Sequence, residues 1–196
     1  MKSSKKLNEL YSHFQKNKKI IDERLSEFKT KKDDREIFFE LCFCILAANT
    51  SSKMASRVVE GSKDILIDST YEELNKKLKE LSCRFYNRRT EYIFYARTIP
   101  IKFDREYLVK NIKGLGYKES SHFLRNIGYS DYAILDKHIL RSLEEFGVIK
   151  EIPKSLNKKK YLEIEEKMKL WSKEIKIPMD ELDLVLWSRK TGEVLK

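Results

Sequence analysis

The sequence predicts an all-α fold. Apolar residues recur at spacings of three and four along almost the whole chain, and no stretch alternates apolar with polar residues as a row of strands would. Roughly ten helices are expected. Leu7, Leu10, Tyr11 and Phe14 form one stripe and Ile20, Ile21, Leu25 and Phe28 a second, which two short helices or one kinked helix accommodate before the charged break Lys29 to Arg35. Ile37 to Ala48 is apolar on nearly every side, as a helix buried in the middle of a bundle must be. Asn49-Thr50-Ser51-Ser52 stops it and caps the next helix, whose inward side is Met54, Ala55, Val58 and Val59. Ser69 to Leu81 reads as a helix capped by Ser69 or Thr70, with Glu72 and Glu73 complementing the dipole in its first turn. Arg84-Phe85-Tyr86-Asn87 reads as a loop, followed by a helix on Tyr92, Ile93 and Ala96 and, after Pro100, one on Tyr107, Leu108 and Ile112. Lys113-Gly114-Leu115-Gly116-Tyr117 separates that helix from another carrying Phe123, Leu124 and Ile127, which Gly128 ends. Asp136 opens a helix with Ile139, Leu140, Leu143 and Phe146 inward. Pro153 breaks the chain, Tyr161, Ile164, Met168 and Trp171 line a long helix, and Pro178 precedes a last one carrying Leu182, Val185 and Leu186.

A chain of 196 residues buries a core without help from metals or disulfides. Its longest apolar run, Ile37 to Ala48 interrupted by Glu40, is far shorter than the roughly 20 residues that cross a bilayer. Lys2, Lys5 and Lys6 have no apolar segment behind them, so no secretory signal is read and a cytoplasmic location, close to the nucleoid, is expected. Cys42, Cys44 and Cys83 make no Cys-x2-Cys pair and are expected to be core thiols. Lys and Arg number 41 against 31 Asp and Glu, and the resulting charge of +10 favours a polyanionic partner such as nucleic acid. The same lysine-rich surface also suits a thermophile.

The hairpin is the informative region. Gly114 and Gly116 permit positive φ and close approach of a backbone, and the amides at the start of the following helix suit an anion, a phosphate diester above all. Tight helix–helix turns need glycine too. The longer form Ile112-Lys113-Gly114-Leu115-Gly116-Tyr117-Lys118, with Leu124 placed to pack the two helices, is more specific.

On these residues the chain resembles the helix-hairpin-helix DNA glycosylase superfamily, in which a catalytic aspartate follows the hairpin; here that residue is Asp136, in Ile134-Leu135-Asp136-Lys137-His138-Ile139-Leu140. Within the superfamily it is similar to the archaeal type 2 8-oxoguanine glycosylases through Leu41 to Asn49, Arg84-Phe85-Tyr86, Gly116 to Asn126 and the ending Thr191 to Lys196. The four cluster cysteines of the endonuclease III branch are missing. The resemblance implies a helix-hairpin-helix glycosylase fold of two helical subdomains, 1–32 with 129–196 and 33–128, with the active site in the cleft between them. It implies excision of 8-oxoguanine from double-stranded DNA and β-elimination at the abasic site without metal or organic cofactor, although a hairpin carbonyl cluster could hold a monovalent cation; a monomer is the default expectation. A glycosylase for another lesion, or a non-catalytic helix-hairpin-helix DNA-binding module, remain the alternatives.

The lesion must leave the stacked duplex before a side chain reaches C1′. Lys118, marked by the resemblance as the nucleophile of a member that also nicks the strand, sits where a helix N-terminus and partial burial both act against its ammonium form; otherwise it is one solvated lysine among many. Asp136 at a helix start is either an N-cap alone or also the carboxylate that faces a cationic sugar or moves protons with Lys118. His138 donates to a DNA phosphate or supports Asp136. The resemblance implies that Phe85 and Trp187 stack on the base and that Lys196, with its free carboxylate, separates 8-oxoguanine from guanine, since N7 carries hydrogen only in the lesion. Core packing is the other account of the two aromatics. Asn49 fills the gap left by the flipped base or is a plain turn residue. Lys113, Gly114 and Gly116 with Arg84, and the neighbouring Arg88 and Arg89, are the expected DNA contacts or ordinary surface charge.

Overall fold

The computed structural model describes residues 2–194, with side chains from Lys5 onward. Its described residues contain ten helices and no strand, and no helix among them is long and apolar enough to cross a membrane. They fall into two compact units, Lys31–Ile127 and a second made of the stretches up to Thr30 and from Gly128 onward.

The first unit is built around α2 (Asp34–Ala47). Asp33 starts it with a capping box, its carboxylate accepting from the Glu36 amide while Glu36 accepts from the Asp33 amide. Every residue from Leu41 to Ala47 is buried, Cys42 and Cys44 included, as expected of a helix covered on all sides by α3 (Ser52–Ser62), α5 (Tyr86–Ala96) and α7 (Tyr117–Asn126). Burial pushes the Cys42 thiol well above the ordinary thiol range, so it stays a neutral packing group. Ser51 caps α3 and Thr70 caps α4 (Tyr71–Glu80), the latter with a full capping box to Glu73. The Arg97 guanidinium, just beyond α5, donates to the carbonyls of Leu66, Ser69 and Ile65 and so closes the α3–α4 connection. The fold departs from the expected loop 84–87: Phe85 is the N-cap of α5, and Tyr86 and Asn87 are already helical. The short α6 (Arg105–Asn111) packs on α7 to complete the hairpin.

The second unit has α10 (Met179–Thr191) at its centre, packed by α1 (Lys2–Lys29), α8 (Lys137–Glu145) and α9 (Lys158–Glu174). The two N-terminal stripes belong to one uninterrupted 28-residue helix. Its fully covered positions Leu10, Phe14, Ile21 and Phe28 repeat at intervals of four and seven, one face of a single helix, while Ile20 is left 44% exposed. Gly128 ends the crossing into this unit at φ +95; a Cβ there would lie 3.2 Å from the Phe28 carbonyl oxygen, so glycine lets the backbone pass against the end of α1.

Candidate active site

The lysine region is assembled almost entirely from neighbours in sequence. Ile112 leaves α6 in extended backbone and Leu115 is buried, pinning the turn. Gly114 has φ +89, and a Cβ there would stand 2.5 Å from the Tyr92 ring, so both conformation and space demand glycine. Gly116 differs from the expected positive φ: at φ −94 and ψ −169 it is ordinary extended backbone, and a Cβ would meet only Glu119 Oε2 at 3.3 Å. Gly116 is the N-cap of α7 but has no side chain to cap with, and Glu119 substitutes by accepting the Gly116 amide at 3.3 Å. The other oxygen of the same carboxylate lies 3.1 Å from Lys118 Nζ, with the two side chains 26% and 16% exposed. The helix start and partial burial therefore do not act on Lys118 alone; a counter-charge is built beside it, and it also occupies the amide position expected to be open to an anion.

Around this turn the expected DNA contacts separate into two kinds. Lys113 is exposed, 3.0 Å from Glu91 and 4.8 Å from the centre of the Tyr95 ring, and the Glu91 hydrogen bond raises its pKa. Arg84 and Arg88 are exposed. Arg89 corrects the surface cluster: only 5% exposed, it donates to the Ala48 carbonyl and closes the end of α2, while burial lowers its pKa against the opposing fields of Cys83 and Glu119. The next residue after that carbonyl, Asn49, is exposed and left-handed at φ +56. Phe85 is also left-handed, at φ +59, and 52% exposed. For a bulky residue that conformation costs about 1–2 kcal/mol, and the Arg84 guanidinium lies 4.6 Å from the centre of the exposed ring. An open concavity of about 430 Å³ is lined by Phe85, Tyr86, Asn87 and Arg88.

The aspartate region, in the other unit, is held by distant residues. Asp136 is the N-cap of α8, its Oδ1 accepting the His138 and Ile139 amides at 2.7 and 2.8 Å. Its Oδ2 accepts the Trp187 indole N–H at 3.2 Å. Trp187 is half-buried, and the His138 ring stands edge-on to it at 6.3 Å. The preceding segment, Ala133 to Leu135, is buried and anchored by α9: Tyr161 Oη donates to the Ala133 carbonyl at 2.6 Å, and the Ala133 amide donates to Glu165 at 2.8 Å. α10 is fixed beside α8 by Glu145, which pairs with Arg189 at 2.7 Å and with Lys190; the Arg189 hydrogen bond, reinforced by Lys190, holds the Glu145 carboxyl down at about 2.

Sequence reasoning gave no role to Glu119 or Glu165, placed Tyr161 only on the inward face of a helix and put Arg89 in a surface cluster. Glu119 carried a signal, a carboxylate three residues after a helix start; the other three are long-range. Among the described residues no group of three or more His, Cys, Asp or Glu side chains is placed to hold a metal ion. Lys196 lies outside the described residues.

Comparison with known proteins gives a consistent result. Residues 21–177 match the 8-oxoguanine DNA glycosylase family. The chain is 48% identical to an 8-oxoguanine DNA glycosylase/AP lyase of Methanocaldococcus jannaschii, covering 91% of this chain and 93% of that one. It is also similar to the crystal structure of the M. jannaschii 8-oxoguanine glycosylase/lyase in complex with a 15mer DNA containing 8-oxoguanine, with TM-score 0.88 and 45% identity over 94% of this chain and 98% of that one. The 8-oxoguanine DNA glycosylase of Thermotoga maritima superposes with TM-score 0.91 at 36% identity, over 99% and 100% of the two chains.

Proposed function

The chain belongs to the 8-oxoguanine DNA glycosylase family, and from that premise we propose that Lys118 and Asp136 carry its reaction. The activity is excision of 8-oxoguanine from DNA together with AP lyase cleavage of the resulting site. The observation that supports the assignment is a half-buried lysine at the first turn of α7, set directly behind a hairpin turn whose Gly114 admits no side chain.

In this account the net charge of +10 draws the protein to duplex DNA, and the flipped base is received against an exposed aromatic face, that of Phe85. The Lys118 amine, once free of its proton, attacks C1′; the bond from C1′ to the base breaks and the base leaves with the electron pair and a proton. The C1′–O4′ bond then breaks, O4′ taking a proton, and the amine holds the opened sugar as a Schiff base; this makes the C2′ proton acidic, and its removal expels the 3′ phosphate. Asp136, held by two backbone amides, stabilises the cationic sugar and moves protons to and from the amine. Glu119 keeps the lysine at the hairpin. The protein works as a monomer in the cytoplasm, on chromosomal DNA.

Borohydride trapping on an 8-oxoguanine duplex tests the assignment. Wild type is expected to yield a covalent protein–DNA band and Lys118→Gln none, and Asp136→Asn is expected to lose about 100-fold or more in excision rate while remaining folded. An undiminished band with Lys118→Gln removes the lysine from its role; no band with wild type, despite tight binding, points to another lesion or a non-catalytic module.

A further inference from the structure

We propose that Trp187 is a positioning residue for Asp136, acting through its indole N–H; the inference rests on the role given to that carboxylate above. Oδ1 of Asp136 is committed to the helix, saturated by two short amide hydrogen bonds. Those bonds hold one oxygen at the helix start, and the second, turned away from the amides, takes a partner of its own. Oδ2 accepts from the Trp187 indole at 3.2 Å, and a neutral donor aimed at the second oxygen steadies the orientation of the plane without neutralising its charge. The indole is itself fixed. Trp187 lies one residue from Ser188 and Leu186, both buried, its carbonyl accepts the Thr191 hydroxyl at 3.0 Å, and two residues further on Arg189 grips Glu145 in the last turn of α8. α10 thus holds both ends of α8, the N-cap through Trp187 and the C-terminal turn through Arg189 and Lys190. The edge of the indole that carries its only hydrogen-bonding group is therefore given to the carboxylate, a role separate from the stacking that the resemblance implies for the ring face.

Trp187→Phe distinguishes the two roles, because phenylalanine keeps a flat ring for stacking and loses the donor. Single-turnover excision of 8-oxoguanine is expected to fall about tenfold, the worth of one hydrogen bond to a charged group, with the Kd for the lesion duplex unchanged. In an Asp136→Asn background the same substitution is expected to add no further loss, since the asparagine amide nitrogen would face the indole donor to donor and the orientation is already lost. Unchanged excision by Trp187→Phe, a loss confined to duplex affinity, or an undiminished tenfold loss in the Asp136→Asn background would each overturn the inference. Should Trp187→Phe fail to fold, a benzothienylalanine at position 187 replaces the N–H by sulfur in the same shape and gives the same readings. Wild-type excision by Asp136→Asn alone would instead remove the carboxylate's role, and this inference with it.

Discussion

The lysine and aspartate regions reach rigidity by opposite routes. Lys118 is surrounded by residues one to four positions away: Gly114 shapes the turn, Gly116 starts the helix, and Glu119 caps that helix while pairing with the amine. Asp136 has its cap locally, but its second oxygen is held from 51 residues away and its approach segment from 26 to 32 residues away. A short motif suffices to build the first arrangement wherever α6 and α7 pack; the second exists only when α8, α9 and α10 are assembled. Distant substitutions are therefore expected to disturb the carboxylate more than the amine.

Substitutions break or sharpen this contrast. The largest effect is expected from Gly114→Ala, which combines a positive φ with a clash against Tyr92: about 2–3 kcal/mol of stability, with hydrogen exchange accelerated in α6 and α7 and trapping yield reduced, while the amides of His138 and Ile139 stay protected. Arg89→Met probes whether the lysine region is as local as it looks, because Arg89 reaches 41 residues to the Ala48 carbonyl. Leaving that carbonyl without its donor should cost about 2 kcal/mol in chemical denaturation and open the Asn49 turn. Glu145→Gln should be the mildest and act on the aspartate unit. Its carboxyl is depressed from an ordinary 4.5 to about 2, so the stabilisation is complete above pH 4.5 and is lost as pH falls toward 2. Wild type should exceed the variant by about 1 kcal/mol, after solvent screening, near neutrality, a Tm difference of about 3 °C, and the two should converge as pH falls through the folded-state value of about 2.

The same contrast governs what could be read in the chain. α2 was legible because its apolar residues surround the helix, and Ser51 and Thr70 because caps are local signals. The hairpin turn was legible for the same reason, and Glu119 would have been, from its spacing to Gly116. α10 was read as having one inward face, although Leu182 to Leu186 are all buried; Asp183 within that run disguised a central helix. Arg89 was grouped with surface charge because arginine is seldom buried, and no local pattern announces a carbonyl 41 residues away. Trp187 could be named as an aromatic of interest, but its bond to Asp136 depends on tertiary pairing of α8 with α10.

The pairing of α1 with α10 carries a consequence for biosynthesis. Lys31–Ile127 is a continuous stretch, whose contacts can form as it emerges from the ribosome. The other unit must wait, because its first helix has its partner more than 150 residues downstream, a connection of high contact order. A nascent chain thus acquires its hairpin and its lysine early, and its anchored carboxylate only when α10 has been translated.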